Sequence, residues 1–388
     1  MDNYIYKNQK KLRCGYTTGT CAAAAVKAAL EMLFTDETEE KVTLMTPKGV
    51  ELSLQISGIS TSVEELLEIS KYPEPQSRIV TCAIQKDSGD DADVTNGIHI
   101  YASVWKISKG IDIDGGIGIG RVTEHGLDQP KGYAAINSVP RKMIAEQVQH
   151  EIEAYGYEGG IQVVISAPEG VALANRTFNP RLGIKGGISI LGTSGIVEPM
   201  SEKALVDTIR TEIQQKTVQG KKDLLIVPGN YGEQFLKETL KIDVEKAVKC
   251  SNFIGETIDM AYEFQVRSLL LVGHIGKLVK LGAGIMNTHS KMADGRMEVL
   301  ASCAVLADVP VDEIKEILKS LTTDEVIAIL IRNHVLEKTM AILMKRIEEQ
   351  LEHRAYEGLE IGAITFSKQY GLLGMTSKAE QLLRKHIE

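Results

Sequence analysis

The chain has 388 residues, enough for two or three domains, and its hydrophobic (43%) and charged (25%) fractions are those of a soluble globular protein. A formal net charge of -8, with no block of Lys or Arg, argues against nucleic acid and anionic membranes as partners. The five cysteines form no C-x-x-C pair, so neither a disulfide framework nor a zinc site is expected. No secretory leader or membrane-spanning apolar run is evident, and the expected location is the cytoplasm.

Residues 1–158 are predicted to form an α+β domain. An alanine-rich run after a Gly/Thr loop predicts its first helix, because alanine is the best helix former and Thr18 or Thr20 is a suitable N-cap. Two β-branched segments on either side of a Pro-Lys-Gly turn predict a hairpin. The predicted elements are a helix at 20–34, hairpin strands at 41–46 and 51–57, strands at 78–85 and 98–103, and a helix at 139–155.

Residues 159–388 are predicted to form a Rossmann-like α/β domain with a mostly parallel sheet. Short, continuously apolar strands alternate here with helical stretches, which is typical of a sheet covered on both faces. The predicted strands are 161–166, 187–191, 223–227, 268–272 and 360–366, and the predicted helices lie near 201–216, 233–240 and 255–264, with several more after Arg296.

Glycine or small polar turns follow most of these strands. They are residues 192–195 (GTSG), 228–232 (PGNYG) and 273–277 (GHIGK), with Gly371 and Gly374 after the last strand. In open α/β sheets, ligands bind outside the carboxyl ends of the strands. One such loop only permits a turn, but several together predict a binding site, with His274 as a candidate catalytic residue.

The Gly/Thr loop at residues 15–20 (GYTTGT) has two interpretations. Its glycines, hydroxyls and helix N-terminus would suit a cradle for a carboxylate or phosphate, with Arg13 as a charged partner. It is equally compatible with an ordinary capped helix. It lacks the lysine of a nucleotide-binding P-loop, which argues against hydrolysis of a nucleoside triphosphate.

Several other motifs are rejected or weak. Residues 115–120 (GGIGIG) have the wrong spacing and context for a dinucleotide fingerprint. Residues 87–97 carry four acidic side chains without the spacing of a calcium loop, so a solvated turn is favoured over a Mg²⁺ site. If that turn faced the site, it could attract a cation such as a sulfonium. No G-x-S-x-G or H-E-x-x-H motif supports a hydrolase.

Taken together, several segments resemble the CbiD family, the cobalt-precorrin-5B C1-methyltransferases of anaerobic cobalamin biosynthesis. The resemblance runs nearly from end to end, and residues 178–201 form its longest and most unusual block. The matching segments are 12–25 (LRCGYTTGTCAAAA), 90–95 (DDADVT), 135–141 (AINSVPR), 174–201 (ANRTFNPRLGIKGGISILGTSGIVEPMS), 227–232 (VPGNYG), 250–255 (CSNFIG) and 272–277 (VGHIGK).

The resemblance implies methyl transfer from S-adenosylmethionine to C1 of a ring-contracted cobalt corrinoid, giving cobalt-precorrin-6A and S-adenosylhomocysteine. It also implies an N-terminal α+β domain followed by a Rossmann-like domain. The methyl donor is already an electrophile, so the enzyme needs to align the reactants and exclude water, and no covalent nucleophile is required. No resident metal is expected, since cobalt belongs to the substrate.

The substrate carries many carboxylates and needs several cationic and backbone donors. We expect the corrinoid between the two domains and the adenosyl cofactor on the strand-end loops. His274 would position or deprotonate a ligand, or contact cobalt axially. The candidate cofactor-binding residues are Gly192, Thr193, Ser194, Gly195, Gly229, Asn230, Tyr231 and Gly273, and the candidate substrate-binding residues are Arg13, Thr17, Thr18, Thr20, Arg141, Arg176, Arg181 and Lys185.

Two other classes of function compete with this interpretation. A nicotinamide-dependent oxidoreductase could use the same strand-end loops, although a proper fingerprint and an acidic ribose ligand are lacking. A non-catalytic corrinoid carrier would need only the Gly/Thr cradle and the arginines. The sequence leaves open whether the chain forms a homo-oligomer.

Overall fold

The computed structural model describes residues 3–7, 9–62 and 78–387. The chain divides into two compact units, Met1–Ser201 and Glu202–Glu388. This division falls later in the chain than the predicted boundary at 158/159. The reason is that the strand beginning at Gly160 belongs to the main sheet of the first unit.

The described part of the first unit contains fourteen strands and three helices. The strands are β1 (Tyr4–Lys7), β2 (Lys10–Arg13), β3 (Gly15–Tyr16), β4 (Lys41–Met45), β5 (Glu51–Ser60), β6 (Ile79–Gln85), β7 (His99–Ile107), β8 (Ile111–Gly115), β9 (Gly118–Ile119), β10 (Arg121–Val122), β11 (Gly160–Ser166), β12 (Ile184–Lys185), β13 (Gly187–Ile188) and β14 (Ile196–Val197). The helices are α1 (Thr18–Thr35), α2 (Ser138–Ala154) and α3 (Gly170–Leu173), followed by a 3₁₀ turn at Ala174–Arg176.

The main sheet of the first unit has six strands in the order β4-β5-β6-β7-β11-β8. All neighbouring strands are antiparallel except β11 and β8. The predicted hairpin is confirmed as β4 and β5, whose side chains alternate between exposed and buried. This alternation is typical of a sheet with one face on a core and one in solvent.

Helix α1 packs against this sheet and against α2. It begins where Thr17 accepts a hydrogen bond from the backbone N–H of Thr20. Ala22–Ala25 are completely buried, because alanine lets the helix approach its neighbours closely. The predicted helix at 20–34 is therefore confirmed, with slightly wider bounds.

Four two-stranded pairs tie the loops of the first unit together. They are β1 with β2, β3 with β14, β9 with β13, and β10 with β12. Three of the four use a strand from residues 184–197, the segment in which the sequence predicted one strand of the second domain. That segment instead crosses the first unit as three short strands, and each strand pairs with an element from earlier in the chain.

The second unit contains five strands and nine helices among its described residues. The strands are β15 (Asp223–Val227), β16 (Ala247–Lys249), β17 (Ser268–His274), β18 (Glu360–Ser367) and β19 (Gly371–Met375). The helices are α4 (Glu202–Val218), α5 (Asn230–Glu238), α6 (Ile254–Glu263), α7 (Ile275–Leu278), α8 (Arg296–Leu306), α9 (Val311–Lys319), α10 (Thr323–Arg332), α11 (Leu336–Ala355) and α12 (Ala379–Ile387), with 3₁₀ turns at Val244–Lys246 and Val279–Ala283.

Its sheet has the order β16-β15-β17-β18-β19, and only β19 runs antiparallel to its neighbour. Successive residues of the central strands enter different cores: Leu269 and Leu271 join one cluster, and Leu270 and Val272 join another. Helices α4, α6, α8, α10 and α11 supply the first cluster, and α5 and α12 supply the second. Burial on both faces explains why these strands are continuously apolar.

The mixed α/β character expected from the sequence is therefore confirmed, with parallel and antiparallel sheets. The predicted strands at 223–227, 268–272 and 360–366 all lie in the second sheet. The strand predicted at 161–166 is real, but it lies in the first unit. Its run of seven buried residues is continuous because both faces of that sheet are covered at this point.

Candidate functional site

The order of strands reverses direction next to β15. From β15 the chain crosses to β16 on one side, and then to β17 on the other. All three strands are parallel, so their carboxyl ends open on the same edge. In open α/β sheets this reversal leaves a crevice where ligands bind. At this edge lie Gly229 after β15, Asn230 and Tyr231 in the first turn of α5, and His274 at the end of β17.

Gly229 is favoured by its backbone conformation, and Gly273 is required by local packing at this edge. Gly229 has φ 142°, a value that favours glycine, and it immediately precedes helix α5. A Cβ on Gly273 would lie 2.2 Å from Cδ1 of Leu278 and 2.9 Å from Cγ of Pro228. Gly273 thus lets the loops after β15 and β17 approach closely.

Lys277 ties the three strand ends together. Its ammonium donates hydrogen bonds to the carbonyl of Pro228, which follows β15, and to the carbonyl of Ser251 (3.3 Å), which follows β16. Lys277 itself lies just beyond β17. Burial lowers the pKa of this ammonium group. In the sequence, Lys277 lies close to the candidate histidine, but no role was predicted for it. The structure shows that it connects the loops after β15 and β16 to the end of β17.

His274 contacts two aromatic side chains. Its ring meets Phe366 edge-on at a centroid distance of 5.7 Å, and it lies 5.6 Å from the Tyr231 ring. Its Nδ1 accepts a hydrogen bond from the backbone N–H of Gly276 (3.1 Å). Burial lowers the pKa of His274, while the Asp324 carboxylate acts to raise it and the Lys368 ammonium acts to lower it.

Tyr231 has an exposed aromatic face that already contacts a cation. The ammonium of Lys368 lies 3.8 Å from the centroid of its ring. Asp324, at the start of α10, accepts a hydrogen bond from Ser367 (2.8 Å). Asp324, Phe366 and Lys368 were not predicted from the sequence as part of this group. Phe366 and Lys368 could have been found, since they lie at the end of a predicted strand.

The Gly/Thr loop and residues 192–195 lie together in the first unit. The backbone N–H of Gly19 donates to the Leu191 carbonyl (3.1 Å), and the Thr20 hydroxyl donates to the Gly195 carbonyl (2.7 Å). Thr18 accepts a hydrogen bond from the N–H of Leu191 (2.9 Å). Thr17, Thr18 and Thr20 are buried and bonded within the chain, so the cradle predicted for a carboxylate or phosphate is filled by residues 191–195.

The glycines of this loop have a packing role. Gly192 has φ 136°, and a Cβ there would lie 2.3 Å from Oγ1 of Thr17. Ser194 hydrogen-bonds the backbone of Ile196, and Thr193 is exposed. The sequence grouped these residues with the strand-end loops of the parallel sheet, whereas the structure places them in the other unit, over the N-terminus of α1.

The acidic turn is held by protein donors. Arg13 donates to both carboxylate oxygens of Asp87 (2.5 and 2.7 Å), and its backbone N–H donates to Asp90 (2.6 Å). The buried ammonium of Lys86 lies 2.6 Å from Asp93. These hydrogen bonds give the turn a structural role. The side chain of Arg13, which was predicted to bind the substrate, forms an ion pair with Asp87.

Replacing Arg13 with methionine is expected to lower stability by at most about 1 kcal/mol at neutral pH, because the ion pair is partly exposed. The hydrogen bond from Arg13 lowers the pKa of Asp87 below its usual range. The stabilisation is therefore present above the unfolded-state pKa of about 3.9 and is lost as the pH falls through the folded-state value. Urea unfolding of both proteins at pH 7 and below pH 4 measures this difference, with Lys10→Met as the control. A difference that did not shrink in acid would contradict this account of the pair.

The remaining predicted substrate ligands differ in their surroundings. Arg141 donates to the carbonyls of Ile136 (2.9 Å) and Ile113 (2.8 Å), while its second terminal nitrogen is buried without a partner. Arg176, Arg181 and Lys185 are exposed. Within the described part of the chain, no ion pair or hydrogen bond engages the side chains of Arg176 and Lys185, so both are available to an anionic ligand.

Other kinds of site receive little support. Within residues 3–7, 9–62 and 78–387, no cluster of three His, Cys, Asp or Glu side chains is arranged to hold a metal ion. The five cysteines are buried and unpaired, and burial raises the pKa of each thiol, which disfavours the reactive thiolate. None of the described helices is both long and apolar enough to cross a bilayer.

The second unit thus has a mostly parallel α/β sheet with a switch point beside β15, and in open α/β sheets ligands bind at such points. Residues 5–199 match the family model described as CbiD, and residues 287–377 match the one described as CbiD, C-terminal domain. The chain belongs to the CbiD family. The first match ends close to the division between the two compact units.

Two similar proteins carry the same name. A cobalt-precorrin-5B C(1)-methyltransferase from Ruminiclostridium cellulolyticum is 49% identical over 95% of this chain and 92% of its own length. The protein of that name from Alkaliphilus metalliredigens is 43% identical, over 99% of this chain and 97% of its own length. A crystal structure of the cobalamin biosynthesis protein (cbiD) from Archaeoglobus fulgidus is 27% identical, with a TM-score of 0.40, and the match covers 76% of this chain and 87% of that chain.

Proposed function

We propose that the chain is a cobalt-precorrin-5B C(1)-methyltransferase that uses S-adenosylmethionine as methyl donor. The observation that carries the proposal is the 49% identity, over 95% of the chain, to a relative of that name. The product would be cobalt-precorrin-6A, and cobalt enters only as part of the substrate. The absence of an exposed cysteine nucleophile is compatible with direct transfer, since a sulfonium needs no covalent activation.

We assign the cofactor to the second unit, which we interpret as Rossmann-like. The order β16-β15-β17-β18 and the parallel direction of these strands support this interpretation. The proposed cofactor-binding residues are Gly229, Asn230, Tyr231 and Gly273, at the carboxyl ends of β15 and β17. Residues 192–195 are left out of the proposed cofactor site, because Gly192 and Gly195 pack against Thr17 and Thr20.

The substrate carboxylates need cationic partners, and we assign Arg176, Arg181 and Lys185 to them. All three are exposed on the segment that resembles the family most closely. Arg176 and Lys185 have no ion-pair partner in the part of the chain that the structure describes. A guanidinium can bind a carboxylate with two parallel hydrogen bonds, which suits the acetate and propionate groups of a corrinoid.

The identity of the cosubstrate can be tested by releasing bound small molecules from purified protein and identifying them by mass spectrometry. S-adenosylmethionine or S-adenosylhomocysteine would support methyl transfer. A pyridine nucleotide would favour the oxidoreductase, and a corrinoid alone would favour a carrier. A protein that emerges empty is then tested by calorimetric titration with each of the three ligands, which separates the same alternatives.

Replacing Tyr231 with leucine is expected to weaken binding of S-adenosylmethionine about 3- to 30-fold, the range for loss of a cation–π contact. The ring already accommodates the Lys368 ammonium at 3.8 Å, and we propose that the sulfonium displaces this ammonium and takes its place on the ring. S-adenosylhomocysteine is uncharged at sulfur, so its affinity should change much less. Titration calorimetry measures both affinities. Equal losses for the two ligands would contradict an interaction with the sulfonium.

A further inference from the structure

We propose that His274 acts in the methyl-transfer site as a neutral hydrogen-bond donor through Nε2, and neither as a general base nor as an axial ligand of cobalt. This inference rests on the proposed function, because it assigns the part that His274 plays in that reaction. The feature that carries it is the contact at the other ring nitrogen, Nδ1, which fixes the tautomer of the imidazole.

The backbone N–H of Gly276 points at Nδ1 of His274 at 3.1 Å. A backbone N–H can only donate, so Nδ1 must accept and carries no hydrogen. In a neutral imidazole the single ring proton then resides on Nε2. The contact is also the N-cap of the helical turn Ile275–Leu278, so the tautomer is coupled to the path of the backbone.

The ring cannot turn over without losing contacts. His274 meets Phe366 edge-on, with an angle of 89° between the ring planes, and Phe366 is itself stacked on Phe235 at 4.0 Å. Tyr231 also contacts the imidazole, at a centroid distance of 5.6 Å. A half-turn of the ring would replace Nδ1 with a carbon atom at the Gly276 N–H and leave that donor unpaired. The ring orientation, and with it the direction of Nε2–H, is therefore set by the surrounding structure.

The two charged groups near His274 have opposite effects on its pKa. Asp324, on α10, favours the protonated ring, and Lys368, after β18, disfavours it. Burial disfavours it as well and is the largest of the three effects on the pKa. Protonation would also place a hydrogen on Nδ1 facing the Gly276 N–H, which would abolish the cap. The neutral ring is therefore the form that this site stabilises.

A nitrogen that carries hydrogen has no lone pair for a proton or a metal. In the transfer step the S–CH₃ bond breaks with its electron pair remaining on sulfur, and a π electron pair of the macrocycle forms the new bond at C1. The positive charge of the sulfonium passes to the macrocycle, and His274 accepts no proton in this step. What Nε2–H can do is hold an oxygen of the ligand, such as a carboxylate or carbonyl, and so align the reacting carbon.

Two substitutions separate the donor at Nε2 from the cap at Nδ1. Asparagine can replace the cap through its side-chain oxygen but does not reach the position of Nε2. Glutamine places an amide N–H donor near that position and cannot act as a base at neutral pH. With a donor role, we expect His274→Asn to lower kcat about tenfold or more and His274→Gln to stay within about threefold of wild type.

A matched control is available at His289, whose Nδ1 accepts the N–H of Lys291 at the same distance, 3.1 Å, on an exposed loop. His289→Asn should leave methyl transfer unchanged. Nitrogen-15 NMR of the histidine rings provides a readout independent of activity. The signal absent from the His274→Asn protein should show a protonated Nε2 and an unprotonated Nδ1 at pH 7.

Other outcomes would overturn the proposal. An equal loss of kcat in both variants would indicate that His274 is a base or a cobalt ligand. A loss of kcat in His274→Gln alone would indicate that only the cap at Nδ1 matters. An unchanged kcat in both variants would show that His274 has no role in methyl transfer. A wild-type protein that transfers no methyl group would refute the proposed function instead. The NMR measurement would still decide the tautomer, because it needs no substrate.

Discussion

Replacing Gly118 with alanine is expected to destabilise the protein by about 3 kcal/mol or more, the largest stability effect that we expect from any single methyl group in the first unit. Gly118 has φ 76°, and a Cβ there would lie 1.7 Å from the carbonyl oxygen of Ala167. The obstacle is backbone, so it cannot rotate away as a side chain would. To avoid this clash, β9 would have to separate from the loop that follows β11.

Two neighbouring glycines show why this point is crowded. A Cβ on Gly170 would lie 2.4 Å from the carbonyl oxygen of Gly118, and one on Gly187 would lie 2.2 Å from the same atom. Three backbone segments therefore cross here without side chains between them. The crossing joins β9 to β13 and holds both against the start of α3.

Gly97→Ala is the matched control for this prediction. Gly97 has a similar φ of 82°, but no atom lies within 4 Å of the position that an alanine methyl group would take there. Only the backbone preference therefore opposes alanine, at a cost of about 1 kcal/mol. Trp105, the single tryptophan, lies in the sheet of the first unit, and its fluorescence reports unfolding there. Urea titrations that gave equal shifts for the two variants would contradict the backbone crossing.

Replacing Lys277 with methionine is expected to lower kcat of methyl transfer about a hundredfold, since a displacement of about 1 Å in a reacting group costs that much. Methionine keeps most of the apolar stem of the side chain but leaves the carbonyls of Pro228 and Ser251 without their donor. The loops after β15 and β16 would then lose their connection to β17. Loss of these charged hydrogen bonds is also expected to cost about 2–4 kcal/mol of stability.

Lys280 offers a control with the same chemistry in another place. Its buried ammonium donates to the carbonyls of Thr288 (3.2 Å) and Ala293 (2.7 Å), and to neither of the two carbonyls that Lys277 holds. Lys280→Met should lose a similar amount of stability, measured by thermal unfolding, and keep kcat close to wild type at a temperature where both variants are folded. Equal losses of kcat in the two variants would show that general destabilisation explains the effect, and that Lys277 has no special place in the site.

Much of the second sheet could be predicted from the sequence, because its strands are buried on both faces and read as continuous apolar runs. Residues 223–227 were predicted with the bounds that the structure shows. The same rule misplaced residues 161–166, which are equally apolar but pair with β7 and β8. Burial on both faces identifies a strand, and it does not identify the sheet to which the strand belongs.

The candidate site was predicted in part. Strand ends drew attention to Gly229, Tyr231 and His274, and the structure brings these residues to one edge. Gly192 also follows a predicted strand and indicated a ligand site equally strongly. The structure shows that glycine is required there because the backbone contacts Thr17. A glycine that approaches a ligand and a glycine that approaches its own chain give the same sequence pattern. The difference depends on contacts between residues far apart in the chain.

The acidic turn illustrates a second limit. The sequence shows four carboxylates within residues 87–93. It does not show which cationic side chains lie next to them in the fold. Arg13 and Lys86 supply those donors, at distances set by the pairing of β2 and β6 with their neighbours. Arg13 was therefore assigned to the substrate when its closest anion is Asp87.

The central claim is methyl transfer by this chain, and turnover of cobalt-precorrin-5B with methyl-labelled S-adenosylmethionine tests it most directly. The label should appear in the macrocycle, at C1 by NMR, together with an equal amount of S-adenosylhomocysteine. Lys280→Met should give the same product, and Lys277→Met should give far less. A fully folded wild-type protein that bound both ligands but left the macrocycle unlabelled would contradict the claim.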